Sequence, residues 1–246
     1  AGATFRYAHD GQPALRGLDL RAGGGKLVLL LGASGCGKTT ATRLLNGLVP
    51  HFFEGGALDG SVDVCGMEPA SVSVQRLAGA VGSVFQDPRS QFFMSLVRDE
   101  IAFAAENVGC DESWARRRLN EVAEFFGVAD LLDRHVDELS SGQKQRVAIA
   151  AASFLAPKAM MLDEPTSNLD EEGIAALVSS LAKLKDQGVS ILVCDHRLHE
   201  YLPVANRYVC ISAGSVAYEW TAGEFSALPC DVLRSMGLRH PDMCPI

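Results

Sequence analysis

The sequence predicts an α/β protein with a parallel sheet covered by helices on both faces. Short apolar runs rich in Val, Ile and Leu recur along the chain, and such runs predict strands that are buried on both faces. Longer segments with helical spacing lie between these runs, and strands that alternate with helices form parallel sheets. No repeat, low-complexity segment or Pro- or Ser-rich linker divides the 246 residues.

Five apolar runs predict the strands of this sheet. They lie at residues 26–31, 81–85, 159–162, 189–194 and 208–211. Later in the chain, residues 214–218 predict a turn and a further strand, and residues 221–228 and 231–236 predict short helices.

Two longer segments show the clearest helical periodicity. In residues 113–126 the apolar side chains fall at steps of four, three and four, which is one face of a helix. These side chains are Ala115, Leu119, Val122 and Phe126. Asp111 or Ser113 could cap this helix, and Gly127 would end it. Residues 170–187 carry a similar stripe.

The stretch from about 95 to 156 contains no strong strand candidate. It is predicted to be mostly helical, although strand-rich segments lie on both sides of it. We therefore predict a single domain over residues 1–246, in which residues 1–94 and 157–246 form the α/β core. Residues 95–156 would form a helical subdomain inserted into that core.

Composition excludes several classes of protein. The formal net charge of -8 argues against a general nucleic-acid binder, which needs a basic face to neutralise phosphates. The longest nearly apolar run, residues 147–156, is shorter than the roughly 20 residues that cross a bilayer as a helix. The 7 cysteines are scattered and include no C-x-x-C pair, which predicts reduced thiols.

A glycine-rich loop follows the first predicted strand. Its sequence is Gly32-Ala33-Ser34-Gly35-Cys36-Gly37-Lys38-Thr39-Thr40, which fits G-x-x-x-x-G-K-[ST] ahead of a predicted helix at Lys38–Leu45. Glycines let backbone N–H groups wrap a phosphate, and the helix N-terminus adds partial positive charge. Lys38 would neutralise the β- and γ-phosphates of a nucleotide, and the Thr39 hydroxyl would bind Mg²⁺. This motif alone does not separate a kinase, a GTPase and a transport ATPase.

Two carboxylates follow the strand predicted at 159–162. In P-loop enzymes a carboxylate at this place holds Mg²⁺, which is the role we expect for Asp163. Glu164 would face the attacking water and is the candidate general base. Pro165 stops the strand, and the sequence Ser-Asn-Leu-Asp follows at 167–170.

A third motif opens an apolar helix ahead of those carboxylates. Its sequence is Leu139-Ser140-Ser141-Gly142-Gln143-Lys144-Gln145-Arg146. Ser140 can cap this helix, whose free N–H groups would form another anion site. The segment resembles the signature of ABC-type ATPases, which usually reads Leu-Ser-Gly-Gly-Gln. The phosphate loop, Gln86, the signature, the two carboxylates, residues 167–170 and His196 occur in that family's order.

The resemblance implies a P-loop NTPase of the ABC type, with a RecA-like core, an antiparallel β subdomain and the inserted helical subdomain. It also implies a head-to-tail homo- or heterodimer with a second ABC ATPase subunit or domain, sandwiching two ATP molecules. Ser140, Gly142 and Gln143 would then belong to the ATP site of the other subunit. Ser141 departs from the usual glycine and adds a Cβ where the backbone meets phosphate.

The resemblance also assigns roles within the chain's own site. Gln86 would touch the Mg²⁺ and the attacking water, which Glu164 would polarise. His196 would bridge the γ-phosphate and the facing Asp170 loop. Tyr7 is similar to the aromatic residue that stacks on adenine, and Phe5 is the alternative for that role.

A second group of motifs resembles one subfamily of the ABC-type ATPases. Residues 84–93, Val-Phe-Gln-Asp-Pro-Arg-Ser-Gln-Phe-Phe, resemble the energy-coupling-factor (ECF) importer ATPases, in which Gln-Asp/Asn-Pro-x-x-Gln is usual. The same group is resembled by residues 98–103, 106–107 and 45–55, and 45–55 is reminiscent of the first half of fused two-ATPase members. In those systems the ATPases drive a transmembrane coupling subunit, and the cargo is a vitamin or a transition-metal ion.

This resemblance implies a peripheral subunit on the cytoplasmic face of the cell membrane. The groove near residues 86–94 would receive a helix of the coupling subunit, lined by Gln91, Phe92, Phe93 and Met94. The equally weighted alternative is that these side chains belong to the core.

Other functions remain open at this point. The chain could be the ATPase of another ABC importer class, a non-transport ABC protein acting on DNA or ribosomes, or a nucleotide sensor without turnover. Proteins of the second kind usually carry coiled coils, tandem domains or basic insertions, and the sequence shows none. Glu164 and His196 argue against a sensor, whereas Ser141 leaves it open.

Overall fold

The structure is a computed structural model that describes residues 1–8, 11–53, 55–87, 90–236 and 238. Its strands are β1 (Ala3–Arg6), β2 (Leu15–Leu18), β3 (Leu27–Leu31), β4 (Ala57–Asp59), β5 (Val81–Val84), β6 (Ala159–Asp163), β7 (Ser190–Cys194), β8 (Arg207–Ser212) and β9 (Ser215–Thr221). Its helices are α1 (Lys38–Leu45), α2 (Leu48–His51), α3 (Val74–Ala78), α4 (Val97–Val108), α5 (Glu112–Phe126), α6 (Ser141–Ala152), α7 (Glu171–Asp186), α8 (Ala222–Ser226) and α9 (Cys230–Ser235). Short 3-10 turns lie at Ala129–Leu131, Val136–Glu138 and His199–Tyr201.

The larger sheet has six strands in the order β5-β6-β7-β3-β8-β9. All neighbouring pairs are parallel except β8 and β9, which are joined by a tight turn and pair antiparallel. The five predicted strands are β3, β5, β6, β7 and β8, with ends shifted by no more than one residue. The prediction of a parallel α/β sheet is therefore confirmed.

Helices cover this sheet because its central strand is apolar on both faces. Every residue of β3 is buried. Leu27, Leu29 and Leu31 pack on one side, in the core that includes apolar residues of α4 to α7. Val28 and Leu30 point to the other side, where the core includes α1 and the second sheet. Successive side chains of a strand alternate between faces, so both faces of this strand are packed.

The second sheet is antiparallel, with the order β2-β1-β4. Its strands are short and partly exposed, and the buried side chains of Phe5 and Leu15 join it to the core around α1. The resemblance implied an antiparallel β subdomain, but the sequence patterns did not locate these strands.

The segment from α4 to α6 is helical, as its sequence predicts. Helix α5 begins after Asp111, whose carboxylate accepts a hydrogen bond from the Trp114 N–H. It ends at Gly127, which has the left-handed conformation that glycine tolerates (φ 62°). Among the described residues, no helix combines the length and the apolar character that crossing a membrane requires.

Candidate active site

The glycine-rich loop joins β3 to α1 and has left-handed backbone at three glycines. Gly32, Gly35 and Gly37 have φ values of 140°, 77° and 113°. A Cβ on Gly32 would lie 2.3 Å from the Ile211 carbonyl oxygen, and one on Gly37 would lie 2.8 Å from the Ala14 carbonyl oxygen. Side chains are therefore excluded at Gly32 and Gly37 by space as well as by conformation.

The ammonium group of Lys38 lies inside this loop. The residue is only 6% exposed, and its Nζ donates hydrogen bonds to the carbonyl oxygens of Gly32 (2.7 Å) and Ala33 (3.1 Å). The buried thiol of Cys36 is 3.9 Å from the same nitrogen. A buried cation needs compensating dipoles or an anion, so this arrangement suits the binding of a phosphate.

Asp163 and Thr39 meet beside the loop. Burial raises the pKa of the Asp163 carboxyl, while its hydrogen bond with the Thr39 side chain acts in the opposite direction. Both residues line a cavity of about 540 Å³ together with Gln86. Hydroxyl and carboxylate oxygens are the ligands that Mg²⁺ accepts from proteins, so this pair fits that ion.

Glu164 brings two predicted site residues together. Its carboxylate accepts a hydrogen bond from the Gln86 amide (Nε2 to Oε2, 2.9 Å) and lies 3.2 Å from the imidazole of His196 (Nε2 to Oε1). The backbone of Glu164 is left-handed (φ 45°), and its N–H donates to the Cys194 carbonyl oxygen at 2.7 Å. Strained backbone of this kind is concentrated at functional sites.

Tyr7 lies next to α1, close to the loop. Its hydroxyl is 3.1 Å from the Thr40 hydroxyl, and its ring packs edge-on against Phe5 and Phe53. The alternative assignment of Phe5 to adenine stacking is wrong, because its ring is fully buried in the core (0% exposed) and cannot meet a ligand.

The signature residues form the start of α6 and lie outside the cavity beside the phosphate loop. Ser140 caps α6. Its hydroxyl oxygen accepts a hydrogen bond from the Gln143 N–H, and the Gln143 side-chain oxygen accepts one from the Ser140 N–H. Ser141 lines a different cavity of about 350 Å³, together with Gln86 and Ser167. No phosphate-loop residue lines this second cavity.

The loop after β6 leads into α7. The side chain of Asp170 caps that helix by accepting a hydrogen bond from the Gly173 N–H at 2.8 Å. A Cβ on Gly142 would lie 3.7 Å from the Cα of Gly173, so the first turns of α6 and α7 are neighbours. This contact brings the signature and the Asp170 loop together within one chain.

Residues 91–94 are divided between the core and the surface. The Gln91 side chain makes hydrogen bonds within the chain. It accepts one from the Phe85 N–H and donates one to the Ser83 carbonyl oxygen. Phe92 packs against the core, whereas Phe93 is 74% exposed and stacks on Phe103. Two other members of the 84–93 motif, Pro88 and Arg89, and Glu54 of the 45–55 segment lie outside the described residues.

The sequence patterns did not identify two buried carboxylates that accept hydrogen bonds from residues of the active-site loops. The buried carboxylate of Asp195, next to His196, accepts hydrogen bonds from the side chains of Thr166 and Tyr201. The buried carboxylate of Glu100 accepts from the N–H groups of Phe93 and Met94. An acidic residue directly after an apolar strand was the available signal for Asp195.

Clusters of three or more His, Cys, Asp and Glu side chains that could hold a metal are absent from the described part of the chain. Thr39 and Asp163 offer one hydroxyl and one carboxylate beside the phosphate loop. Such a set suits an ion that also binds phosphate oxygens and water.

Comparisons with known proteins identify the family of the chain. The family model described as ABC transporter matches residues 15–167. An ABC transporter ATP-binding protein of Treponema denticola is 39% identical over 243 residues, which cover 99% of this chain and 50% of that protein. One from Streptomyces avermitilis is 41% identical over 211 residues, covering 85% of this chain and 37% of that protein. The chain thus spans half or less of the length of these two curated relatives.

A solved structure has the same fold. It is cbiO1 from Clostridium perfringens, described as part of the ABC transporter complex cbiONQ. It is 27% identical, with a TM-score of 0.79, and the match covers 98% of this chain and 96% of that one.

Proposed function

The chain belongs to the ABC transporter family of ATP-binding domains, which hydrolyse ATP, and on this premise we propose that it is the motor subunit of a membrane transporter. One observation carries the proposal. The carboxylate of Glu164 lies between the Gln86 amide and the His196 imidazole, at the end of a strand that borders the phosphate loop.

Each element of this site has a part in hydrolysis. The loop N–H groups and Lys38 bind the phosphates of ATP, which places the γ-phosphate near Glu164. Thr39 and Asp163 would hold Mg²⁺, which neutralises phosphate charge when it is bound. Glu164 accepts a proton from the attacking water, while Gln86 and His196 orient its carboxylate. The side chain of Glu164 is 27% exposed, so water can reach it.

The separate location of the signature supports an assembly of two ATPase units. Ser140, Gly142 and Gln143 lie at the start of α6, and the neighbouring Ser141 lines a cavity that contains no phosphate-loop residue. We propose that they complete the ATP site of a second subunit or domain in a head-to-tail dimer. Each chain would then supply complementary halves of two sites.

We further propose an ECF-type importer as the transporter, with a vitamin or transition-metal ion as cargo. The likeness of residues 84–93 to that group supports this class, and so does the overall likeness to cbiO1. The exposed ring of Phe93 would contact a helix of the transmembrane coupling subunit. The chain would then act as a peripheral protein at the cytoplasmic face of the membrane. In this proposal residues 1–246 are one domain, with residues 95–156 as its helical subdomain.

ATP turnover is tested by removing the phosphate-loop cation. Lys38→Ala in the complete protein that carries this chain should abolish Mg-ATP binding and hydrolysis at this site, because the ammonium is buried inside the loop. Lys26→Ala is the matched control, since Lys26 is exposed at the other end of β3. Parent-like ATP binding by Lys38→Ala would contradict the proposal.

The membrane partner is tested by purification from membranes. A tagged complete protein should copurify with a transmembrane coupling subunit, and Phe93→Ala should weaken this association. Tyr218→Ala is the matched control, because Tyr218 is also an exposed aromatic residue, stacked on Trp220. Equal recovery of the partner with both variants would exclude Phe93 from the interface.

A further inference from the structure

Asp195 is the most extensively hydrogen-bonded buried carboxylate of the active-site region. It follows β7, precedes His196 and is 3% exposed. Its Oδ1 accepts from the backbone N–H groups of His196 (2.7 Å) and Arg197 (3.0 Å). Burying a carboxylate is costly unless such bonds compensate, and these two N–H groups supply part of that compensation.

Two further donors reach the same carboxylate from other elements. The Thr166 hydroxyl is 2.8 Å from both oxygens, and the Tyr201 hydroxyl donates to Oδ2 at 2.8 Å. Thr166 and Tyr201 are themselves 1% and 0% exposed. Burial, followed by the nearby Asp195 charge, raises the pKa of the Tyr201 hydroxyl well above its ordinary value. Tyr201 is therefore a permanent donor at physiological pH.

These bonds connect the two loops that carry the proposed chemistry. Thr166 lies two residues after Glu164, on the loop between β6 and α7, whereas His196 lies on the loop after β7. The Glu164 N–H also donates to the carbonyl oxygen of Cys194, the residue that precedes Asp195. Besides the contact between Glu164 and His196, the two loops are thus joined through backbone and through the buried carboxylate of Asp195.

We propose that Asp195 is a positioning residue for ATP hydrolysis. It fixes the backbone of His196 against the Glu164 loop and so sets the 3.2 Å separation between the imidazole and the carboxylate. Asp195 touches no reacting atom itself, because its carboxylate is enclosed by the protein. This inference rests on the proposed function, since it assumes that Glu164 and His196 act on ATP.

The test removes single donors and leaves the carboxylate in place. In the complete, assembled protein, Thr166→Val loses one bond to Asp195 and Tyr201→Phe loses another. Each should lower kcat by about 10- to 100-fold, because a misplacement of about 1 Å can cost that much in rate. The KM for ATP should stay within about twofold, because the phosphate loop is untouched. Thr166→Ser keeps the hydroxyl and should restore most of kcat.

A control separates positioning from stability. Ser180→Ala removes a different buried hydroxyl, which donates to the Ala176 carbonyl oxygen within α7. It should lower the melting temperature without changing kcat per folded molecule. If Thr166→Val and Tyr201→Phe behave in this same way, Asp195 is only structural and the inference is overturned.

The outcome is distinguishable from failure of the proposed function. If the parent does not hydrolyse ATP, or if Glu164→Gln hydrolyses it at the parent rate, the proposed function is wrong. If Glu164→Gln is inactive but Thr166→Val and Tyr201→Phe keep the parent kcat, the proposed ATP hydrolysis is supported and the positioning role of Asp195 is wrong.

Discussion

Glu164 has a backbone conformation that a residue with a side chain rarely adopts. Its φ of 45° costs on the order of 1–3 kcal/mol, which the surrounding structure must offset. The bond to the Cys194 carbonyl oxygen and the contacts with Gln86 and His196 provide that support. The strained turn leaves the carboxylate partly exposed at the end of β6, where a water molecule can reach it.

Asp163 predicts a pH dependence of stability. Burial raises its pKa above the ordinary value of 3.8. At pH values between the ordinary and the raised pKa, the folded protein therefore binds more protons than the unfolded chain. The free energy of unfolding therefore falls as pH rises from the ordinary value through the raised one. Because it cannot ionise, Asp163→Asn should be more stable than the parent above this window, and this advantage should disappear at lower pH.

Urea unfolding of Asp163→Asn and the parent at acidic and neutral pH measures this difference. The same variant should lose about 100-fold or more in hydrolysis, because a bound metal ion contributes several kcal/mol. Asp130→Asn is the control, since Asp130 is exposed in a 3-10 turn. Equal stability of Asp163→Asn and the parent at every pH would show that burying this carboxylate has no cost.

At the residue scale, the sequence predicts side chains that are contiguous in a motif and misses those assembled by tertiary contacts. Lys38 and Thr39 follow the glycines directly, and Asp163 and Glu164 are adjacent, so the motif spacing locates them. Asp195 and Thr166 are 29 positions apart and meet only because β6 and β7 are neighbours in the sheet. Local spacing carries no information about such a pair.

At the element scale, α6 and α8 begin with the same capping arrangement. Ser140 with Gln143 and Thr221 with Glu224 each form a reciprocal pair of side-chain to backbone bonds. Ser140→Ala and Thr221→Ala should each lower the free energy of unfolding by about 1 kcal/mol. Only Ser140→Ala should also impair ATP hydrolysis, because only that cap belongs to the signature. Urea unfolding and an ATPase assay on both variants check this. Equal ATPase activity of the two variants would show that Ser140 does not belong to the ATP site of a second subunit or domain.

The phosphate loop offers a second matched pair. Gly37 and Gly66 are both left-handed, at φ 113° and 79°, but only Gly37 lacks room for a Cβ. An alanine at Gly66 costs about 1–2 kcal/mol from conformation, and one at Gly37, where φ lies farther from the left-handed helical region, costs at least as much. Gly37→Ala should lose a further 1–3 kcal/mol or so from overlap and should not bind ATP. Urea unfolding and nucleotide titration measure both effects. Similar stability losses in the two variants would show that the loop relaxes around the added methyl group.

Elements differ in how well the sequence predicts them, and burial is the reason. Strands such as β3 are apolar at every position because both faces are packed, so they appear as continuous runs. The strands β1, β2 and β4 have three or four residues each and are partly exposed. Such short patterns cannot be told from loops, which is why the antiparallel sheet was implied only by the resemblance.

At the scale of the whole molecule, the chemistry lies at one edge of the six-stranded sheet. Asp163 ends β6, whereas the phosphate loop follows β3 and Asp195 follows β7. These three strands are parallel neighbours, so their carboxyl ends meet at the same edge. The net charge of -8 suits the proposed peripheral subunit, which would be held to a membrane partner by specific contacts and not by attraction to anionic lipid.

In the proposed function, Glu164 is the general base of ATP hydrolysis at this site. The most direct test is the nucleotide recovered from this site after the complete protein has been incubated with Mg-ATP. Glu164→Gln should retain intact ATP and lose about 10²- to 10⁴-fold in turnover, since general-base catalysis contributes that much. Glu124→Gln, at an exposed glutamate of α5, should behave as the parent does. Release of ADP by Glu164→Gln at the parent rate would contradict the role of Glu164 as general base.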